Sequence, residues 1–387
     1  MFHICLVVMH VLIQCTKALL DKVKISPSEL KSPEGYEELP CALMAWQANL
    51  VSINRRKAIV LMNNATRYPV VIYRPRPKDF ARMKGLIREA IVVALRMEGI
   101  CETFIERYMA AAGEIEFSKT TNRSMISRLN RSVYEVGAMH DCLDESTLIQ
   151  RYISISAGRL LQGSSRNDYF VPIERMIECL ETYLDKDGNG ICRSVLDVEL
   201  YQLKVQIEIE GFDIWRRVLV PSVLSFLHLH DVIQTVFDWH GYHLHMFEAR
   251  GQGSKVKQIV MDEGLETLEW CDVNSCDILE ERFTALKDIF PDHEEVTYTY
   301  DFGDSWNHTI TLEKTVRSNA FEVTYLDGRG ERPPEDVGGI GGYMEYIRVM
   351  ADDTDPEYEN MKAWAESQGE RKQSPEEINS RLKHCIG

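Results

Sequence analysis

No stretch of this 387-residue chain approaches the ~18 uncharged apolar residues that a membrane-spanning helix requires, so no membrane partner is expected. Cysteine is sparse: ten residues, at positions 5, 15, 41, 101, 142, 179, 192, 271, 276 and 385, none of them in a C-x-x-C pair. That spacing excludes a zinc knuckle and a disulfide scaffold, and reduced thiols in a cytoplasm are expected. Several catalytic signatures are missing. There is no H-E-x-x-H, no G-x-S-x-G, no G-x-x-x-x-G-K-[ST], and no G-x-G-x-x-G after a strand. No histidine has arginine three residues on, which removes the H-x-x-R box of a tyrosine recombinase. Internal repeats are absent. Met1–Gln14 is apolar but lacks a basic leader and an A-x-A-like cleavage site, so it does not read as a signal peptide. Residues 1–8 are expected to be a poorly ordered extension, with Met9 an alternative start.

The composition is that of a globular chain, with 44% hydrophobic and 27% charged residues. The length suits two or three domains. Acids outnumber bases, 60 to 44, and the excess is unevenly placed. Residues 1–200 hold 26 bases and 24 acids, a net of +2, whereas residues 201–387 hold 18 and 36, a net of −18. The expected organisation is a basic α+β domain over 1–140, a helical connector over 141–200 and an acidic domain over 201–387.

In the first half, Met9–Gln14 reads as a strand, followed by a short helix over Lys17–Val23 capped by Thr16. Leu50–Ile53 and Ala58–Met62 are apolar, β-branched runs with Asn54-Arg55-Arg56-Lys57 as the turn between them, and Tyr68–Tyr73 is a third strand. Asp79 is placed to cap a helix running to about Met97, with Met83, Leu86, Ile87, Ala90, Val93 and Ala94 on one stripe. Helices near Glu102–Ala111 and Asn122–Val136 flank a strand over Glu114–Phe117. Residues 146–184 read as two helices broken at Gly163, the second starting at Pro172.

In the second half, Leu203, Val205, Ile207 and Ile209 alternate as a half-buried strand, and Ile214–Val220 returns beside it. Pro221 and Ser222 lead into a helix ending near Phe237, and Tyr242–Ala249 is a strand. Residues 250–290 read as irregular, with a short helix near Ala285–Phe290. Val296–Phe302 and Trp306–Leu312 form a hairpin around Gly303-Asp304-Ser305. An edge strand over Phe321–Tyr325 and helices near 342–351, 356–367 and 375–384 complete an α+β domain with a mainly antiparallel sheet.

Four clusters carry possible chemistry. Asp185-Lys-Asp-Gly-Asn-Gly190 matches an EF-hand loop at its first, third, fifth and sixth positions, but the twelfth is Leu196 instead of a bidentate glutamate, so a polar turn is the simpler reading. His243 and His245 of His240-Gly-Tyr-His-Leu-His245 would share a face if extended, about 6.5 Å apart, and could meet one metal ion. Within Tyr300-Asp-Phe-Gly-Asp-Ser-Trp-Asn-His308, His308 beside Asp301 or Asp304 would suit an oriented base or a third ligand. Arg332-Pro-Pro-Glu-Asp-Val-Gly-Gly-Ile-Gly-Gly-Tyr343 is glycine-rich before a helix, but Glu335 and Asp336 would repel a bare phosphate and suit a cation better.

These segments occur in order with Tyr201-Gln-Leu-Lys-Val205, Ile214-Trp-Arg-Arg-Val218 and Leu229-His-Asp-Val-Ile-Gln234. Over about 201–370 they resemble the plasmid pRiA4b ORF-3-like family, also labelled a TnpR-like transposon passenger. The resemblance implies a compact α+β fold and an association with mobile elements. Where that family usually has cysteine after Pro-Pro-Glu-Asp, this chain has Val337, so no thiolate acts there. Residues 9–137 resemble an uncharacterised bacterial domain often found ahead of it. The matching stretches are Gln14-Cys-Thr-Lys17, Trp46-x-x-Asn49-Leu50, Arg55-Arg-Lys57, Asn63-Asn-Ala-Thr66 and Phe117-Ser-Lys-Thr-Thr-Asn-Arg-Ser124.

Two readings follow. In the first, the protein is an interaction or accessory protein of a mobile element or its host. Residues 51–131 carry 16 bases against 7 acids, a net of +9, and Arg55, Arg56, Lys57, Lys119 and Arg123 would contact nucleic acid or a protein partner, the alternative being a basic face that docks the acidic second domain. In the second, it is a metal-dependent hydrolase. His243, His245 and His308 would hold a divalent cation, while Asp301, Asp304, His308, Glu335 and Asp336 would carry the catalytic work.

Overall fold

The computed structural model describes residues 10–111, 113–165, 168–184, 194–251, 255–261, 276–368 and 374–386. The residue 1–8 extension, the Asp185–Gly190 turn, Cys192 and Cys271 lie outside them. The chain separates into two units. One runs to Val198 and takes in Ser318–Phe321; the other comprises Glu199–Arg317 and Glu322–Ile386.

The first unit is a six-stranded mixed sheet with helices on both faces. Its elements are β1 (Val11–Cys15), α1 (Lys17–Val23), β2 (Ala45–Ile53), β3 (Arg56–Asn63), β4 (Pro69–Tyr73), α2 (Pro77–Ala81), α3 (Met83–Met97), α4 (Glu102–Ala111), β5 (Ile115–Lys119), α5 (Arg123–Ala138), β6 (Ile149–Gln150), α6 (Arg151–Gly158), a hairpin of β7 (Gln162–Ser165) and β8 (Asp168–Phe170), and α7 (Pro172–Leu184). The order is β5-β1-β2-β3-β4-β6, and β1 is parallel to both β2 and β5. One sheet face packs Ile13, Trp46, Ile59 and Ile72 against α3, α4 and α7. Val60, Val71 and Tyr73 on the other meet Val136 of α5 and Ile153 of α6. Helices on both sides explain why Ala58–Met62 is apolar without alternation.

Several expectations are corrected here. The β2–β3 turn is two residues, Asn54 and Arg55, both left-handed (φ 44° and 61°), and Arg56 and Lys57 already belong to β3. Such two-residue turns match the strand twist, which a four-residue turn at this register would not. Asp79 does not cap a helix reaching Met97. It is the third residue of α2, where its carboxylate accepts the Arg76 N–H at 2.8 Å, and the helix breaks at Arg82. Thr16 occupies the cap position of α1, but its hydroxyl donates to Asn49 Oδ1 instead of to the helix. Asn122 does cap α5, accepting from Ser124 and Met125.

The second unit is built on eight strands: β9 (Val198–Ile207), β10 (Ile214–Pro221), β11 (His245–Ala249), β12 (Val256–Val260), β13 (Cys276–Glu280), β14 (Glu295–Tyr300), β15 (Trp306–Ser318) and β16 (Thr324–Arg329). The order is β13-β12-β11-β14-β15-β9-β10-β16, a mostly antiparallel sheet with a parallel β12–β13 pair. Among the described residues four α-helices accompany it: α8 (Phe226–Phe237), α9 (Gly339–Met350), α10 (Tyr358–Ser367) and α11 (Pro375–Leu382). Strand β9 alternates as its sequence predicts, burying Leu203, Val205 and Ile207. Helix α8 begins at Phe226 behind Ser225, four residues later than Pro221–Ser222 suggested. The region read as irregular contains β12 and β13; both lie toward a sheet edge, where polar residues interrupt the apolar pattern.

Candidate metal centre

Strand β11 starts at His245, not Tyr242, and this changes the histidine cluster. Residues 239–244 form a connection from α8. They meet the Asp301–Ser305 turn between β14 and β15, and the segment 333–338 that enters α9. The Asp301 N–H donates to the Leu244 carbonyl (3.0 Å), and Gly338 N–H donates to Asp304 Oδ2 (3.1 Å). Trp239, Tyr300 and Trp306 pack beneath, with ring centroids 5.4 and 6.0 Å from Trp239.

His243 Nε2 lies 2.9 Å from Asp336 Oδ1 and 3.4 Å from Asp301 Oδ2. Ligand atoms of these three side chains all fall within 4.8 Å of one another, the arrangement a small cation needs. Asp336 is 53% exposed, His243 25% and Asp301 12%, so the cluster opens to solvent on the Asp336 side. Asp301 and Asp336 both adopt left-handed backbone, φ 56° and 55°. Asp301 holds its turn through Oδ1, which accepts the N–H groups of Gly303 (2.9 Å) and Asp304 (3.3 Å), leaving Oδ2 toward His243.

Around this centre, Tyr242 donates to Asp336 Oδ2 at 2.6 Å. Desolvation and that carboxylate push the phenol up. Buried Glu335 accepts from the Tyr300 hydroxyl (2.6 Å) and from the His240 N–H (3.3 Å), and His240 Nδ1 faces it at 3.9 Å. Burial and Glu335 raise Tyr300 as well.

The remaining residues named from the sequence lie elsewhere. His245 is buried, its Nε2 on Glu281 Oε2 at 2.8 Å and its ring stacked 3.5 Å from His230. His308 is wholly buried. Its Nδ1 contacts the carbonyls of Trp306 (3.0 Å) and Tyr298 (3.3 Å), and its ring packs on Phe237. Burial drives the His308 imidazole down to about 4. Thus His243, His245 and His308 do not share one site: β-sheet alternation sends the latter two into the core, while His243 precedes the strand. His308 also does not sit beside Asp301 or Asp304 as a base. Asp304 is tied to Gly338, and Glu335 to Tyr300. Tyr242 and His240 flank the centre and were not singled out individually from the sequence, although both stand in the His-Gly-Tyr-His run.

In the first unit, Arg55, Arg56 and Lys57 are exposed at the β2–β3 hairpin, and Lys119 at the end of β5 and Arg123 at the start of α5 are exposed. Strands β1, β2 and β5 run parallel, so both groups lie at the same end of the sheet.

Residues 199–381 match the family Plasmid pRiA4b ORF-3-like protein. The Uncharacterized protein y4hQ of Sinorhizobium fredii is 32% identical over 169 residues, which span 43% of this chain and 80% of that protein. The chain belongs to the plasmid pRiA4b ORF-3-like family. Residues 12–175, ahead of the pRiA4b ORF-3-like domain, match a Domain of unknown function (DUF6933). The solved structure titled Protein of Unknown Function MM3350, from Methanosarcina mazei Go1, is 34% identical and covers 43% of this chain and 89% of its own, with a TM-score of 0.38. The pRiA4b ORF-3-like domain carries the whole His243–Asp301–Asp336 cluster.

Proposed function

We propose that the pRiA4b ORF-3-like domain binds a divalent cation through His243, Asp301 and Asp336 and serves as a metal-dependent hydrolase. The observation that carries this reading is two carboxylate oxygens converging on one imidazole nitrogen, at 2.9 and 3.4 Å, on an open face. One nitrogen and two oxygen donors suit manganese or zinc. A bound ion of this kind polarises a substrate oxygen and acidifies a coordinated water. Tyr242 orients Asp336. His240, backed by Glu335, supplies a proton acceptor in the same loop.

The test is calorimetric titration of chelator-stripped full-length protein with Mn²⁺ and with Zn²⁺. One ion per chain is expected, with affinity reduced at least about tenfold in His243→Ala and Asp336→Asn. A panel of chromogenic phosphodiesters and carboxylic esters should then show turnover that chelator removes. No stoichiometric uptake and no rise in Tm with either ion would overturn the reading.

A second reading concerns the first unit. We infer that it contacts nucleic acid, as suits an accessory protein of a mobile element. The exposed Arg55-Arg56-Lys57 hairpin, in a stretch with a net charge of +9, supports it.

A further inference from the structure

The first unit carries a second concentration of positive charge beyond the hairpin. Immediately after β4 the chain reads Arg74-Pro-Arg76-Pro-Lys78-Asp79, and Arg82 follows at the break between α2 and α3. Arg74, Arg76, Lys78 and Arg82 line a cavity of about 430 Å³ together with Asp79 and Glu145. Both acids are engaged. Asp79 accepts the Arg76 N–H at 2.8 Å and faces Arg82 Nε at 3.6 Å; Glu145 pairs with Arg74 at 2.9 Å. Arg76 and Lys78 are exposed, and neither side chain forms an ion pair among the described residues.

One lining residue of this cavity, Arg74, is bonded to the strand that leaves the hairpin. Ala58 pairs with Tyr73 across β3 and β4, and the Arg74 N–H donates to the Lys57 carbonyl at 2.8 Å. Arg74 is itself left-handed, φ 56°, which turns the chain at that junction. Pro75 and Pro77 restrict the segment that presents Arg76 and Lys78. One end of the sheet therefore displays Arg55, Arg56 and Lys57 on the hairpin and Arg74, Arg76, Lys78 and Arg82 around the neighbouring cavity. Arg74 and Arg82 are paired with acids, Arg82 with Glu89 as well at 3.5 Å, which leaves Arg55, Arg56, Lys57, Arg76 and Lys78 without an ion pair among the described residues. Five such cations over that span exceed what a single phosphate would need and suit successive charges along a polymer.

We propose that this cavity binds the phosphodiester backbone of a nucleic acid, with Arg76 and Lys78 as its principal contacts. The inference rests on the second reading above and gives it a site: the hairpin supplies the approach surface, and the cavity seats a phosphate.

The experiment is fluorescence anisotropy of the full-length chain with a labelled 20-nucleotide single strand and the corresponding duplex, at several salt concentrations. The variants are Arg76→Ala/Lys78→Ala, Arg55→Ala/Arg56→Ala/Lys57→Ala and the surface control Lys314→Ala. We expect the Arg76/Lys78 variant to lose about tenfold in affinity. Its log–log salt slope should shrink by about two, one for each phosphate contact removed. Lys314→Ala should leave both unchanged. If the Arg76/Lys78 variant binds like the wild type while the hairpin variant is weakened, the cavity is not the site and this inference falls, although nucleic-acid contact by the unit stands. If no oligonucleotide binds at low salt, both fall. Competition with inorganic pyrophosphate identifies the remaining source of phosphate: pyrophosphate binding without oligonucleotide binding overturns the polymer assignment.

Discussion

Glu98, the C-cap of α3, is buried, and its Oε1 accepts the Tyr68 hydroxyl at 2.8 Å and Arg159 Nη1 at 3.0 Å. Removing the guanidinium leaves an uncompensated interior charge, so Arg159→Met should cost about 3–5 kcal/mol in denaturant titrations. Glu98→Gln combined with Arg159→Met should recover much of that loss, because the amide oxygen still accepts from Tyr68. At the proposed metal centre the informative comparison is between Asp336→Asn and Asp336→Ala. Asparagine tolerates left-handed backbone and alanine does not, so both variants should lose cation affinity, but only Asp336→Ala should also lower Tm. Individual roles were legible only where a side chain's direction followed from its element. Asp301 and Asp336 were named from their residue type. His245 and His308 were misassigned because burial is a property of the assembled sheet, and their neighbours Glu281 and Phe237 are distant in the chain.

Among the elements, the entry into α9 couples backbone shape to the candidate site. Gly338 and Gly339 are left-handed, φ 90° and 64°, and a Cβ on Gly339 would fall 2.7 Å from the Asp304 carbonyl. A Cβ on Gly342 would collide with the Val337 carbonyl. The glycine run thus lets the segment bearing Asp336 lie against the turn bearing Asp301. Gly339→Ala should therefore weaken Mn²⁺ binding about tenfold in the same calorimetric assay without removing a ligand. Strands with clean alternation, such as β9, and helices with a continuous apolar stripe, such as α3, were readable in advance. Strands β12 and β13 were not, since half-exposed strands carry mixed side chains. The Asp79 cap failed for a different reason: Pro77 started a short helix, and the break at Arg82 has no distinctive sequence mark.

For the whole molecule, acid sensitivity is expected to reside in the second unit. Burial, and then the adjoining His245, hold the His230 imidazole down to about 2, while burial holds His308 down to about 4. Both are neutral when folded and take up protons near pH 6.5 once unfolded. Unfolding therefore binds protons, so stability is full above about pH 6.5. It declines as pH falls from there toward the folded-state values. His308 alone should account for about 2 kcal/mol between pH 6.5 and 4.5. Urea titrations across that range should show the decline, with a shallower slope in His308→Asn, whose amide can replace Nδ1 toward Trp306. The division of charge between the two halves was plain from composition, but the packing of α6 and α7 into the first unit was not, because sixty residues without a charge signature read as a connector.

Left-handed backbone at Asp301 and Asp336 also bears on how the protein can diverge. Asparagine and glycine are the residues most at ease at such positions. A lineage that dispensed with the proposed ion could exchange either aspartate for asparagine, discard the negative charge and retain both loops unchanged. Descendants with the same architecture can therefore differ in whether they hold a cation, and the residue type at these two positions is the place to tell them apart.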